Sequence, residues 1–302
     1  MQNLNLNPEG DHIVQAIALG GKVKLSAIRS TNTVDKARQA HDLSPSSTVA
    51  LGRFMSGLQL MATDLKADGD IISGVIKSAG PLQGMTALAK YEGTVKGFPN
   101  QPHVETITNG KGKFDIAAVV GPGDLTIVRA QAGSRPYSGS VDLISGEIAE
   151  DLTYYLYQSE QIPTIVALGV LVDSSGVQHS GGMLVQTLPG GDDTETIDYL
   201  EARISQFPEI TYWMEEGFTP AQILNLFIGE DIKYLNVKPS KFECDCSKEQ
   251  MLSALVTLAL DDLRELSEDS AGIELVCELC NSKYNFSQDD MKELYEYNLG
   301  DE

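Results

Sequence analysis

Cysteine is the residue type whose positions in this chain most clearly predict chemistry. The chain has 302 residues and four cysteines, all in its last quarter. They form a first pair, Cys244 and Cys246, and a second pair, Cys277 and Cys280. One residue separates the members of the first pair, and two separate those of the second, which is the usual spacing of a zinc knuckle. Random placement would not gather every cysteine into two pairs, so scattered core residues are a poor explanation.

Two cysteine pairs of this kind are typical of one shared zinc ion with four thiolate ligands. A tetrahedral ion needs four ligands, and two tight turns can each deliver two sulfur atoms to one side of it. The four histidines (His12, His41, His103 and His179) all lie far upstream of the cysteines. A thioredoxin-type redox pair is the alternative reading of the second pair, but it needs a βαβ context and leaves the first pair unexplained.

The charge balance limits the classes of partner. Asp and Glu number 43 against 22 Lys and Arg, which gives a formal net charge of −21. Such a chain repels phosphate backbones, so we expect neither nucleic acid nor membrane as a partner. The polar segment 1–13 lacks a signal-peptide core, and apolar runs such as 165–172 are too short to span a membrane. A cytoplasmic location is expected, where thiols are normally kept reduced.

The residues that precede the cysteines must supply the main body of the protein. At about 150 residues per domain, the length allows about two domains. Segments 13–19 with 23–29, and 162–172 with 177–188, read as β-hairpins around glycine-containing turns. A long helix is predicted to begin at Ser44 or Ser46, with one apolar face toward the core. These patterns predict an α+β fold, with a mixed α/β domain containing antiparallel sheets over 1–188.

A Pro-Gly-Gly-Asp-Asp break at 189–193 changes the character of the chain. Beyond it, 189–231 is predicted to be a helical linker of amphipathic helices, which must bury their apolar faces on the N-terminal domain, the zinc domain or a partner. The segment 232–302 is predicted to be a small zinc-binding domain that holds a helix over 247–266. A domain of this size has little core, so the metal must contribute much of its stability.

The sequence contains no recognisable catalytic motif: G-x-S-x-G, a phosphate-binding P-loop and H-E-x-x-H are all missing. We therefore predict that the protein is not an enzyme. Two alternatives stay open. One is a zinc-ribbon protein that binds nucleic acid, which the acidic excess disfavours. The other is an enzyme in the N-terminal body, with a purely structural zinc.

Two stretches of sequence resemble the zinc motif of the 33 kDa chaperonin family, the redox-regulated heat-shock holdases. They are Phe242-Glu243-Cys244-Asp245-Cys246-Ser247-Lys248-Glu249 and Val276-Cys277-Glu278-Leu279-Cys280-Asn281-Ser282-Lys283-Tyr284-Asn285-Phe286. Asp11-His12-Ile13-Val14-Gln15-Ala16 and Leu43-Ser44-Pro45 are also similar to that family, so the resemblance covers nearly the whole chain. Gln250 and Leu279 depart from the expected arginine and phenylalanine.

The resemblance implies an ATP-independent molecular chaperone that is inactive when reduced and loaded with one zinc ion. Peroxide or hypochlorous acid, together with heat, is expected to switch it on, so that it binds unfolding client proteins and prevents their aggregation. The family's ligands correspond to Cys244, Cys246, Cys277 and Cys280. The oxidised pairs that the resemblance implies are Cys244–Cys246 and Cys277–Cys280, with release of zinc and formation of a homodimer.

Overall fold

The computed structural model of the chain describes residues 4–229 and 231–300. Its β-strands are β1 His12–Ala18, β2 Val23–Arg29, β3 Ile71–Ser78, β4 Met85–Lys90, β5 Thr94–Pro99, β6 Gly123–Ala130, β7 Tyr137–Asp142, β8 Thr164–Asp173, β9 Gly176–Thr187, β10 Ile232–Pro239, β11 Lys241–Phe242, β12 Ile273–Val276 and β13 Lys283–Phe286. Its α-helices are α1 Thr31–His41, α2 Pro45–Met61, α3 Ile116–Val120, α4 Ala149–Glu160, α5 Thr194–Ser205, α6 Ile210–Glu215, α7 Pro220–Ile228, α8 Lys248–Leu255, α9 Leu260–Glu268 and α10 Gln288–Gly300.

The chain divides into two compact units, Met1–Glu243 and Cys244–Glu302. The first unit contains a five-stranded sheet of order β10-β1-β2-β9-β8, called sheet A here, and a six-stranded sheet of order β11-β5-β4-β3-β6-β7, called sheet B. The strand pairs of both sheets are antiparallel, apart from the short parallel pair β11–β5. The predicted α+β class and both predicted hairpins, β1–β2 and β8–β9, are confirmed.

Helix α2 is the centre of the first unit. It begins at the first of the two predicted positions, with Ser44 as its N-cap residue, and Pro45 occupies the first turn. The sequence predicts that one face of this helix is buried. In the structure the helix packs on both sheets, and all but two of its residues are buried. Small residues permit this close packing. A Cβ added to Gly57 would lie 2.4 Å from the Cδ1 atom of Leu152, so a larger side chain would not fit without a shift.

The helices of the predicted linker bury their apolar faces on sheet A, on the side opposite α2. Of the neighbours left open by the sequence, the N-terminal domain is therefore the one that they cover. Their side chains and those of the strands form one hydrophobic cluster, called the linker cluster here: Val14, Ala16, Ala18, Val23, Leu25, Ala27, Met183, Val185, Leu200, Ile210, Met214, Ala221, Ile223, Leu224, Phe227 and Ile228. Its burial removes a continuous apolar surface from water, which is what holds α5, α6 and α7 in place.

Two helices of the linker begin with side-chain caps. Asp193 caps α5 by accepting a hydrogen bond from the backbone N–H of Thr196 at 3.0 Å. At the start of α7, Thr219 and Gln222 form a capping box. The Thr219 hydroxyl accepts from the Gln222 N–H, and the Gln222 side chain accepts from the Thr219 N–H at 2.9 Å.

The sequence places the start of the zinc domain directly after the linker, but in the structure that segment belongs to the two large sheets. The strand β10 forms the edge of sheet A through pairing with β1, and β11 then pairs with β5 in sheet B. The first compact unit therefore runs on to Glu243, whereas the sequence placed the start of the zinc domain at 232. An edge strand needs a partner from elsewhere in the chain, and no local pattern in 232–239 identifies β1 as that partner.

Candidate metal centre

The second compact unit, Cys244–Glu302, has a very small core. The hairpin β12–β13 and helices α8, α9 and α10 surround the four buried apolar side chains Leu263, Phe286, Met291 and Leu294. The single helix predicted over 247–266 is wrong, because the chain turns at 256–259 and forms α8 and α9. Asp261 and Asp262 lie in the first turn of α9, where carboxylates favour a helix N-terminus.

The first cysteine pair lies in an irregular segment directly before α8. Ser247, the residue after Cys246, is the N-cap of that helix, and its hydroxyl accepts a hydrogen bond from the backbone N–H of Gln250 at 3.2 Å. The cap fixes where the helix begins, so Cys244 and Cys246 stay in the non-helical chain that precedes it.

The second cysteine pair forms the tight turn between β12 and β13. Cys277 N donates to Ser282 O at 2.9 Å, and Asn281 N donates to Cys277 O at 2.7 Å. Asn281 has a φ of 59°, a left-handed conformation that asparagine tolerates better than most residues. The turn brings the Cys277 and Cys280 side chains together on one side of the hairpin, as expected of a zinc knuckle.

The four predicted ligands come together in the structure. Their Sγ atoms all lie within 4.8 Å of one another. Two contacts join the pairs: Cys244 Sγ to Cys277 Sγ at 3.9 Å, and Cys246 Sγ to Cys280 Sγ at 3.4 Å. A tetrahedron with Zn–S bonds of about 2.3 Å has S···S edges of about 3.8 Å. The sulfur positions therefore fit a zinc ion, and the four thiols are called the sulfur cluster below.

The surroundings of the second pair give its two thiols different pKa values. Burial raises the pKa of Cys277, and the neighbouring Cys280 thiol adds to this effect. Burial also opposes ionisation of Cys280, but hydrogen bonds from the hydroxyl and backbone of Ser282 outweigh it and lower the pKa of Cys280 to about 7. The Cys280 Sγ lies 3.2 Å from the Ser282 Oγ. Cys280 is thus the thiol of this pair that more readily becomes a thiolate, the form that binds metals and reacts with oxidants.

Sequence reasoning missed one polar neighbour of the cluster, Tyr284 on β13. Its hydroxyl donates to the backbone carbonyl of Cys246 at 2.9 Å and lies 3.2 Å from the Cys246 Sγ. The hydrogen bond with Cys246 raises the pKa of Tyr284 to about 12. Tyr284 follows Cys280 by four residues in the sequence. Its contact with Cys246 could not be predicted, because that contact depends on how the two cysteine motifs come together in space.

Among the residues that the structure describes, the four cysteines are the group of His, Cys, Asp and Glu side chains whose arrangement suits a metal ion. The histidines lie in the first unit, where the buried His12 places its Nδ1 atom 3.0 Å from the carbonyl oxygen of Gly10. In the same described ranges, no helix is both long enough and apolar enough to span a membrane.

Known proteins that are similar to this chain belong to the family that its cysteine motifs resemble. A family model described as Hsp33 protein matches residues 11–287. The 33 kDa chaperonin of Ruminiclostridium cellulolyticum is 40% identical over 291 residues, which are 96% of this chain and 99% of that protein. The 33 kDa chaperonin of Enterococcus faecalis is 38% identical over 287 residues, 94% of this chain and 96% of that protein.

A solved structure extends the likeness to the fold. The crystal structure of the 33 kDa chaperonin (heat shock protein 33 homolog) from Thermotoga maritima matches with a TM-score of 0.90 and 35% sequence identity, covering 96% of this chain and 99% of that one. The family match, the near full-length relatives and the shared fold lead to one conclusion: this chain belongs to the Hsp33 family of chaperones, the 33 kDa chaperonins.

Proposed function

We propose that this protein is a redox-regulated, ATP-independent holdase that binds unfolding client proteins when its four cysteines are oxidised. The observation that carries the proposal is the meeting of four sulfur atoms, at separations suited to tetrahedral zinc, in a unit with almost no core. Cys244, Cys246, Cys277 and Cys280 would hold one zinc ion in the reduced state. When bound, zinc keeps the four sulfurs as thiolates and adds about 10–16 kcal/mol to the folding of so small a unit.

The cysteines themselves supply the sensing chemistry. A thiolate attacks a peroxide, so that an S–O bond forms, the O–O bond breaks and hydroxide leaves; the sulfur is oxidised to a sulfenic acid and the peroxide is reduced. The second thiol of the pair then attacks that sulfur, forming an S–S bond and releasing water. The proposed products are the disulfides Cys244–Cys246 and Cys277–Cys280. A disulfide across one residue closes a small strained ring, which favours reduction when the stress ends.

Oxidised cysteines no longer serve as ligands, and the second unit then depends on its small core alone. We propose that it unfolds, and that the helical linker 189–231 is the mobile part of the switch. In this proposal 1–188 stays folded and 189–231 moves, and the part of the predicted domain 232–302 that unfolds is the second unit, Cys244–Glu302. The apolar residues of the linker cluster, hidden in the folded form, would become available to unfolding clients. The net charge of −21 would help to keep such complexes in solution.

We further propose that the oxidised protein acts as a homodimer in the cytoplasm, and that neither nucleic acid nor membrane is a partner. The large acidic excess supports the exclusion of nucleic acid, because phosphate contacts are made mainly by Lys and Arg.

An aggregation assay tests the function directly. Reduced, zinc-loaded protein should leave the aggregation of a heat-unfolded client nearly unchanged, while peroxide-treated protein should suppress most of it at equimolar ratio. Light scattering measures the effect, and addition of a thiol reductant to the oxidised protein should reverse its activation. Equal suppression by both forms would contradict the redox switch, and suppression by neither form would contradict the holdase.

Metal analysis tests the reduced state. Protein purified with reductant should contain one zinc per chain, and its four thiols should react slowly with a thiol reagent until a chelator is added. The reason is that a metal-bound thiolate has its lone pair engaged in the bond to the ion. Four freely titratable thiols without metal would show that the cluster is not a zinc site.

A further inference from the structure

The hydroxyl of Tyr284 is placed to contact Cys246 in two ways. It lies 2.9 Å from the Cys246 carbonyl oxygen and 3.2 Å from the Cys246 sulfur. Its ring is anchored, because Tyr284 pairs with Leu275 across the β12–β13 hairpin and packs against the small core of the second unit. A residue from the hairpin of the second cysteine pair therefore holds a member of the first pair.

The phenol O–H of Tyr284 can donate its hydrogen bond to either of two acceptors on Cys246, the carbonyl oxygen or the sulfur. When Cys246 is a neutral thiol, the thiol S–H can donate to the phenol oxygen while the phenol O–H donates to the carbonyl. When Cys246 is a thiolate, its sulfur is only an acceptor, and it is the charged acceptor of the two. Hydrogen bonds to ionised acceptors are about twice as strong as neutral ones, so the phenol proton then favours the sulfur.

We propose that Tyr284 is a positioning residue that restrains the reaction of Cys246 with oxidants. When Cys246 is a thiolate, the hydroxyl donates to its sulfur and withdraws electron density from it; when Cys246 is a thiol, the hydroxyl donates to its carbonyl oxygen and keeps the first cysteine pair against the second. The inference rests on the proposed function, since it concerns the same sulfur cluster. The restrained step is attack of the Cys246 sulfur on a peroxide, in which an S–O bond forms, the O–O bond breaks and hydroxide leaves.

The same hydroxyl should also support metal binding. Hydrogen-bond partners of metal ligands orient those ligands, and their loss commonly lowers metal affinity by about 10–100-fold. Cys246 Sγ and Cys280 Sγ lie 3.4 Å apart, so the geometry of the cluster depends on where the first pair is held. Without the hydroxyl, the Cys246 sulfur would be both a stronger nucleophile and a less well-placed ligand.

The test compares Tyr284→Phe with Tyr295→Phe in the full chain. Tyr295 lies on α10 and packs against the same small core, so its variant controls for the loss of a tyrosine hydroxyl from this unit. Peroxide is added to the reduced protein, samples are quenched with an alkylating reagent, and mass spectrometry follows each cysteine. Tyr284→Phe should lose the Cys246 thiol about three to ten times faster than wild type, and Tyr295→Phe should match wild type.

A spectroscopic measurement separates the hydrogen bond from a general loosening of the unit. In the Co²⁺-substituted protein, the thiolate-to-metal charge-transfer band should move to lower energy in Tyr284→Phe, because a sulfur without the hydrogen bond is the better electron donor. An unchanged band, or an unchanged or slower oxidation of Cys246, would overturn the proposal. Wild-type protein that binds neither Zn²⁺ nor Co²⁺ would instead count against the proposed function, and the oxidation rates of Cys246 in metal-free protein would then decide the role of Tyr284.

Discussion

Replacing Cys277 with serine (Cys277→Ser) is expected to make the reduced protein a chaperone that needs no oxidant. Cys277 is the buried member of the sulfur cluster, and the substitution removes one zinc ligand together with one half of a disulfide. If four ligands share about 10–16 kcal/mol, the loss of one should weaken zinc binding by about a hundredfold or more. The second unit, with only a small core to replace the metal, should then be largely unfolded.

Three measurements check this result in the same preparation. Metal analysis should show loss of zinc, hydrogen exchange should show loss of protection in the second unit, and light scattering should show at least partial suppression of client aggregation without peroxide. Ser253→Ala is the matched control, because it alters an exposed residue of α8 in the same unit. The control should keep zinc and remain inactive until it is oxidised.

This variant also distinguishes two mechanisms. If unfolding of the second unit is the activating event, Cys277→Ser is active although it cannot form the Cys277–Cys280 disulfide. If the disulfides build the client-binding conformation, the variant stays inactive with or without peroxide. We expect the first result, because disulfides within such close pairs are too local to create a binding surface. A variant that loses zinc, unfolds its second unit and still does not suppress aggregation would overturn the mechanism.

Truncation of Phe227 (Phe227→Ala) is expected to activate the protein by a different route, with the zinc site intact. Phe227 on α7 is fully buried in the linker cluster, and its ring lies edge-on to that of Phe207 with 5.3 Å between the ring centroids. Truncation of a buried phenylalanine costs about 3–5 kcal/mol, through lost burial and the cavity that remains. This loss weakens the packing of the linker helices against sheet A, so these helices should separate from the sheet first.

Hydrogen exchange gives the decisive measurement for Phe227→Ala. Residues 194–228 should lose protection while sheet B and α2 keep theirs, and the zinc-loaded variant should suppress client aggregation without oxidant. Phe54→Ala is the contrasting variant, since Phe54 is equally buried but lies in the core on the other side of sheet A. It should lower the melting temperature of the first unit without activating the protein below that temperature.

Two outcomes would argue against the linker as the mobile part of the switch. One is a Phe227→Ala variant that melts earlier yet keeps residues 194–228 protected and stays inactive. The other is an equal loss of protection throughout the first unit, which would mean global unfolding. In either case the linker helices would be a permanent layer on sheet A, and client binding would have to involve another surface.

Several features of this protein could be predicted from sequence because their causes are local. The two cysteine pairs indicate a shared metal site, since ligand type and spacing within a few residues suffice to form each turn. The start of α2 at Ser44 and Pro45 and the capping box of Thr219 and Gln222 likewise depend on neighbours in the chain. The same holds for hairpins such as β8–β9, in which two apolar, strand-forming segments flank a short turn.

Other features depended on contacts between residues far apart in sequence, which only the tertiary structure decided. The apolar pattern of α7 shows that one face must be buried, but not that sheet A is the surface that covers it. The segment 232–239 became an edge strand because β1 had an unpaired side, and α2 is enclosed because two sheets pack on it. Tyr284 reaches Cys246 because the two cysteine pairs meet in space, across 38 positions of sequence. A local pattern fixes which groups must be buried or bound, whereas the choice of partner is made by the packing of the whole chain.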